Sequence, residues 1–206
     1  MKILFQGDSI TDTGRPRDND IFSGHGYPMM VKGALNYEEP GKYEFINRGI
    51  SGNRVVDLYG RVTADIINLE PDVMSILIGV NDVWHGFDHH QNGVNAEKYF
   101  KIYSMLIDEV LEALPNIKIM IMEPFTLEGT ANKENYAEFR KEVVKRAEKA
   151  RAIAEKYGFP FIELQDKFDE AAKLAPNAHW LRDGVHPTEA GHELIKREWI
   201  KCFKNL

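Results

Sequence analysis

The chain has 206 residues, 43% apolar and 28% charged, which fits one globular domain and neither a disordered nor a fibrous chain. Its 26 Lys and Arg against 32 Asp and Glu leave a net charge of −6, which argues against nucleic acid or anionic membrane as a main partner. A single cysteine, Cys202, excludes an internal disulfide and a cysteine metal cluster, and its apolar neighbours suggest a buried, inert thiol.

The run 2–6 (KILFQ) predicts a first strand, followed at once by Gly7-Asp8-Ser9. It is too short for the apolar core of a signal peptide. No run of about 18 apolar residues occurs later, so a cytoplasmic protein without a membrane span is expected. A second strand is predicted at 43–47, ahead of Arg48-Gly49-Ile50-Ser51-Gly52-Asn53. Val55, Leu58, Tyr59, Val62, Ile66 and Leu69 then keep helical spacing. A third strand at 73–78 leads into a loop that begins Gly79-Val80-Asn81-Asp82 and carries Trp84. Tyr99 to Leu114 predicts a helix, 117–122 a fourth strand, Tyr136 to Tyr157 another helix, and 160–164 a fifth strand. Leu194, Ile195, Trp199, Cys202 and Phe203 mark a last helix, with Thr188 as its cap and Glu189 in its first turn.

The runs 73–78 and 117–122 are almost wholly apolar, as strands covered by helices on both faces are. Strand and helix alternate throughout, which predicts a parallel sheet and one domain over 1–206. In such a sheet ligands bind beyond the carboxyl ends of the strands. The loops there carry Ser9, Gly52 and Asn81, with glycine beside small polar groups.

Singly, each of these residues has an ordinary explanation. Ser9 could cap a helix. Gly52 and Asn81 could serve turns. Asp183-Gly184-Val185-His186-Pro187 could be a capping aspartate beside a surface histidine. Together they supply the parts of acyl transfer. Ser9 is a candidate nucleophile, His186 its base, and Asp183 the group that orients the imidazole. The Gly52 amide and the Asn81 side chain are candidate oxyanion donors. From average residue frequencies, the three motifs would co-occur in a random chain of this length on the order of once in 10⁵.

These motifs resemble the SGNH branch of the GDSL hydrolase family, over the whole chain. Gly7-Asp8-Ser9-Ile10, Asn47 to Asn53, Gly79-Val80-Asn81-Asp82 and Asp183 to Pro187 match its four blocks, with Ile10 where leucine is frequent. The resemblance implies a three-layer α/β/α sandwich, flavodoxin-like, with a five-stranded parallel sheet in the order 2-1-3-4-5. It also implies ester hydrolysis with an oxyanion hole from Ser9, Gly52 and Asn81. Within the family the blocks look like a cytoplasmic carbohydrate acetylesterase group that includes acetylxylan esterases. The implied substrate is a small acetylated molecule, such as a xylo-oligosaccharide, and Trp84 and Trp180 are candidate sugar-binding residues. Tyr27 and Phe87 are supporting aromatics.

No cofactor or metal is expected. His85, His89 and His90 share one polar loop with Asp82 and Asp88, without a metal-ligand spacing. Homo-oligomerisation stays open. Two other readings are a thioesterase or lysophospholipase for long acyl chains and a non-catalytic flavodoxin-like binding module. The polar loops after Asn81 and Pro124 disfavour the first, and the intact Ser9, Asp183 and His186 disfavour the second.

Overall fold

The structure is a computed structural model that describes residues 1–88 and 91–206. Its elements in chain order begin with β1 (Lys2–Gly7), α1 (Ser9–Asp12), α2 (Tyr27–Glu38), β2 (Glu44–Asn47), α3 (Val55–Gly60) and α4 (Val62–Asp65). The middle of the chain forms β3 (Val73–Leu77), α5 (Val80–Phe87), α6 (Ala96–Ala113), β4 (Lys118–Met122) and α7 (Tyr136–Tyr157). β5 (Phe161–Ile162), α8 (Gln165–Ala171), α9 (Asn177–Trp180) and α10 (Glu189–Phe203) complete it. Among the described residues the strands form one parallel sheet in the order β2-β1-β3-β4-β5. This is the flavodoxin-like order that the sequence motifs imply.

Alternate strand residues face opposite sides of a sheet, and here both sides are buried. Ile3, Phe5, Val73, Leu77, Met120 and Met122 join one apolar cluster with Tyr27, Val31, Ile195 and Trp199 of α2 and α10. Leu4, Met74, Ile76, Ile119 and Ile121 join a second with Leu58, Tyr103, Leu106 and Ile153 of α3, α6 and α7. Two clusters separated by one sheet make the α/β/α sandwich.

Three expectations need correction, and one element is new. The new element is α2, which starts with Pro28 in its first turn and buries Tyr27, Pro28, Val31 and Leu35. The segment after the third strand is helix α5 from Val80 onward, so Trp84 and His85 stand on a helix and not on a loop. Its first four residues are all buried, which hides helical periodicity. β5 spans two residues, shorter than the run 160–164 suggests. Cys202 is half-buried, with its thiol pushed up by burial.

Among the described residues no helix is long and apolar enough to cross a membrane. No group of three or more His, Cys, Asp or Glu among them is placed to hold a metal ion. His89 and His90 lie outside the described residues.

Candidate active site

The chain leaves β1 for one side of the sheet and returns through β3 on the other, so a crevice opens above their carboxyl ends. Ser9 opens α1 there, and Asp8 caps that helix by accepting the Ile10 amide at 3.0 Å. Burial pushes the Asp8 carboxyl up to about 7. The cap is therefore Asp8, and the Ser9 hydroxyl is left for another partner.

That partner comes from the far end of the chain. Leu181 and Pro187 form an antiparallel bridge, which pinches residues 181–187 into a tight turn. Within it Asp183 Oδ1 accepts the Val185 and His186 amides at 3.0 and 2.8 Å. Asp183 Oδ2 lies 2.7 Å from His186 Nδ1, and His186 Nε2 lies 3.0 Å from Ser9 Oγ. With Nδ1–H donating to the carboxylate, Nε2 is free to accept from the hydroxyl. Burial alone would raise the Asp183 pKa, but the hydrogen bonds from the His186 ring and the His186 and Val185 amides hold it at about 2.

The turn is braced by a segment that sequence reasoning passed over. Thr126 Oγ donates to the Gly184 carbonyl at 2.8 Å, the Leu127 amide to the same carbonyl at 2.9 Å, and the Ala131 amide to the Asp183 carbonyl at 2.9 Å. A Cβ at Gly129 would stand 2.2 Å from the Asp183 carbonyl carbon, so only glycine lets the two segments meet.

Gly52 and Asn81 line one cavity with Ser9. Gly52 has φ +81°, which favours glycine, and a Cβ there would meet nothing within 4 Å. Its amide and that of Ser9 have no acceptor among the described residues. Asn81 is 6% exposed and spends one Nδ2 hydrogen on the Asn53 carbonyl at 3.1 Å, which fixes the amide and leaves its second hydrogen free. The block around Gly52 is tied to its neighbours. Asp12 accepts the Ser51 amide at 2.9 Å, and Asp82, pushed up to about 8 by burial, accepts the Val55 amide at 3.1 Å.

Ser9 and His186 form a ridge between two cavities. One, of about 300 Å³, is lined by Gly52, Asn81, Trp84 and His85. The other, of about 630 Å³, is lined by Arg182, Glu189, His192 and Thr13. Trp84 is half-buried, with its ring centre 5.9 Å from that of His186 and Phe139 packed perpendicular to it at 6.2 Å. Trp180 lines neither cavity. It packs against the core and the edge of His179, with its indole nitrogen buried and unpartnered among the described residues. The structure thus brings Ser9, Gly52, Asn81, Trp84, Asp183 and His186 together, and leaves Trp180 behind the turn.

The pattern of the GDSL-like Lipase/Acylhydrolase family matches residues 5–194. The chain belongs to this family. It is 37% identical to an acetylxylan esterase of Geobacillus stearothermophilus, over 97% of this chain and 92% of that one. A protein described as a GDSL-like lipase from Parabacteroides merdae superposes with a TM-score of 0.93 at 38% identity, covering 98% and 95% of the two chains. The acetylxylan esterase Axe2 of G. stearothermophilus superposes with a TM-score of 0.85 at 34% identity, covering 97% and 92%. Catalytic mutants of Axe2 carry alanine in place of a serine, an aspartate and a histidine, the last two three residues apart. A further Axe2 mutant replaces a tryptophan directly before that aspartate, where this family member has Arg182. As a GDSL family member with these relatives, the chain is a carboxylic ester hydrolase.

Proposed function

We propose that this esterase removes acetyl groups from xylo-oligosaccharides or related sugars through a covalent acyl-enzyme on Ser9. The observation that carries this reading is the unbroken hydrogen-bond chain from Ser9 through His186 to Asp183. In the first half-reaction His186 Nε2 takes the hydroxyl proton as Ser9 Oγ bonds to the ester carbonyl carbon. The Ser9 and Gly52 amides and Asn81 Nδ2 receive the developing oxyanion. The bond to the alcohol then breaks, and His186 returns the proton to the leaving oxygen. In the second half-reaction water, deprotonated by His186, attacks the acetyl-serine, and collapse releases acetate and restores the hydroxyl. Asp183, ionised at any pH above about 2, stabilises the imidazolium formed in each half.

Acetate is favoured over longer acids because the cavity holding Gly52 and Asn81 is small and walled by Trp84. Trp84 accordingly serves as a substrate contact on the acyl side, and Trp180 as packing behind the Asp183–His186 turn. The larger cavity is lined by charged and hydroxyl-bearing side chains, which suits a polar alcohol and not the tail of a lipid. The acetylxylan esterase relative supports a sugar as that alcohol. Residues 1–206 act as one catalytic domain in this reading, since Ser9 and His186 meet across 177 residues above one sheet.

Two measurements test the proposal. Ser9→Ala should abolish turnover and labelling by a fluorophosphonate while the fold persists, and full labelling of that variant would place the nucleophile elsewhere. Aryl esters of rising acid length should be hydrolysed ever more slowly beyond acetate, and acetylated xylo-oligosaccharides should release acetate. A rate that climbs steadily with chain length would replace the sugar reading with a lipid one.

A further inference from the structure

The cavity of about 630 Å³ beside Ser9 and His186 is far too roomy for an acetyl group alone. It touches His186, which must hand a proton to the leaving oxygen, yet contains neither Gly52 nor Asn81. Three polar side chains on its wall have unused hydrogen-bonding capacity among the described residues. The Arg182 guanidinium is exposed and makes no ion pair or hydrogen bond there, and the Glu189 carboxylate is likewise exposed and unpaired. His192 is only 4% exposed, and its Nδ1 accepts the Tyr27 amide at 3.2 Å. That bond puts the ring proton on Nε2, which has no acceptor among the described residues, and His192 lines the cavity.

We infer that Arg182, Glu189 and His192 bind the alcohol portion of the substrate, a neutral polyhydroxylated ring, on the side of Ser9 away from Asn81 and Trp84. The inference rests on the sugar reading above and adds where the ring lies and what holds it. A guanidinium fork donates two parallel hydrogen bonds, which fit neighbouring hydroxyl oxygens. A carboxylate accepts from the same hydroxyls, and the His192 Nε2–H supplies a fixed neutral donor at the base. Burial, with the Arg182 charge nearby, lowers the His192 pKa to about 4, so the donor stays uncharged at neutral pH. The formal charges of Arg182 and Glu189 cancel, which suits a neutral ring better than an acidic one. Axe2 has a tryptophan where this chain has Arg182.

The test compares kcat/KM for 4-nitrophenyl acetate and for acetylated xylobiose in the unsubstituted enzyme, Arg182→Ala, Arg182→Lys and Trp84→Ala. Arg182 is exposed, so its replacement leaves the fold intact. Arg182→Ala should lower the saccharide value about tenfold more than the aryl value, mainly through KM, as loss of a charged hydrogen-bond donor does. Arg182→Lys should recover part of that loss. Equal losses on both substrates for Arg182→Ala, or a saccharide-selective loss in Trp84→Ala alone, would overturn the assignment. If the unsubstituted enzyme cleaves the aryl acetate but no acetylated xylobiose, the sugar reading itself fails and takes this subsite with it.

Discussion

The two cavities on either side of Ser9 and His186 are made of different materials. The smaller is built from the main chain: amides at Ser9 and Gly52, a tethered Asn81, and one wall of indole. Each part stands just beyond the carboxyl end of a strand, Ser9 on α1, Gly52 on a loop and Asn81 and Trp84 on α5, and these segments are tied together through Asp12 and Asp82. The larger is built from side chains of the 181–187 turn and the first turns of α10, docked against α2. A site that must stabilise charge in a transition state needs donors fixed within fractions of an ångström, and backbone supplies these. A site that must choose among alcohols needs side chains that can be exchanged without disturbing the chemistry. Under the assignment inferred above, Arg182 is one of those exchangeable side chains.

The ridge shared by both cavities should show the largest effect. Asp183→Asn keeps the shape of the side chain but offers an amide N–H to His186 Nδ1. The ring then carries its proton on Nε2, facing Ser9, in the tautomer that cannot accept. A loss of about 10⁴ in kcat is expected, by analogy with the same change in other triads. The loss should fall equally on aryl acetate and on acetylated sugar, because neither cavity is altered. A loss confined to one substrate would show that Asp183 serves binding.

On the main-chain side, Asn81→Ala should lower kcat by about 10²–10³ with KM little changed, the signature of an interaction made in the transition state. A raised KM with normal kcat would move Asn81 from the oxyanion to ground-state binding.

These two cavities also differ in how far the sequence discloses them. Ser9, Gly52 and Asn81 lie in short motifs that follow strands, and Asp183 and His186 share one short motif ahead of the last helix, so local patterns already disclose them. The doubly covered parallel sheet was equally accessible, because 73–78 and 117–122 are continuous apolar runs, whereas its strand order came from the family resemblance. The other cavity depends on contacts that no local pattern carries. His192 faces it only because α2 packs on α10, with Tyr27 and His192 meeting across 165 residues. Arg182 looks like any charged residue in a turn. The bracing of Asp183 by Thr126 and Gly129 is invisible for the same reason: its partners are carbonyls and a missing Cβ.

His192 gives a sharper test of the side-chain cavity, read through stability. Its pKa falls from the ordinary 6.5 to about 4, first through burial and then through the Arg182 charge. Between those values the unfolded chain holds a proton that the folded chain refuses, so falling pH favours unfolding. The full difference amounts to about 3 kcal/mol, present at neutral pH and lost as pH drops through that window. Asp8 and Asp82, raised by burial to about 7 and 8, act in the opposite sense over a range that contains the histidine window, so the raw profile mixes both. Subtracting His192→Gln from the unsubstituted protein in denaturant titrations isolates the histidine. The gap should shrink towards acid, and a gap independent of pH would mean that His192 is not held neutral by its surroundings.

The smallest expected effect concerns Trp84 and decides which cavity it belongs to. Its indole lies against Phe139 and beside His186, on the wall that contains Gly52 and Asn81. If it limits the acyl group, Trp84→Ala should open room for longer acids. Each buried methylene contributes about 0.8 kcal/mol, so the two extra methylenes of butyrate should raise its kcat/KM relative to acetate by about tenfold. The measured quantity is a ratio between two esters of one alcohol, so a general loss of activity in the variant cancels. Acetylated sugar should track aryl acetate in this variant, since both bring the same acyl group to that wall. An unchanged butyrate-to-acetate ratio, with the sugar alone turned over poorly, would transfer Trp84 to the alcohol side, and the division of labour between the two cavities would fail with it.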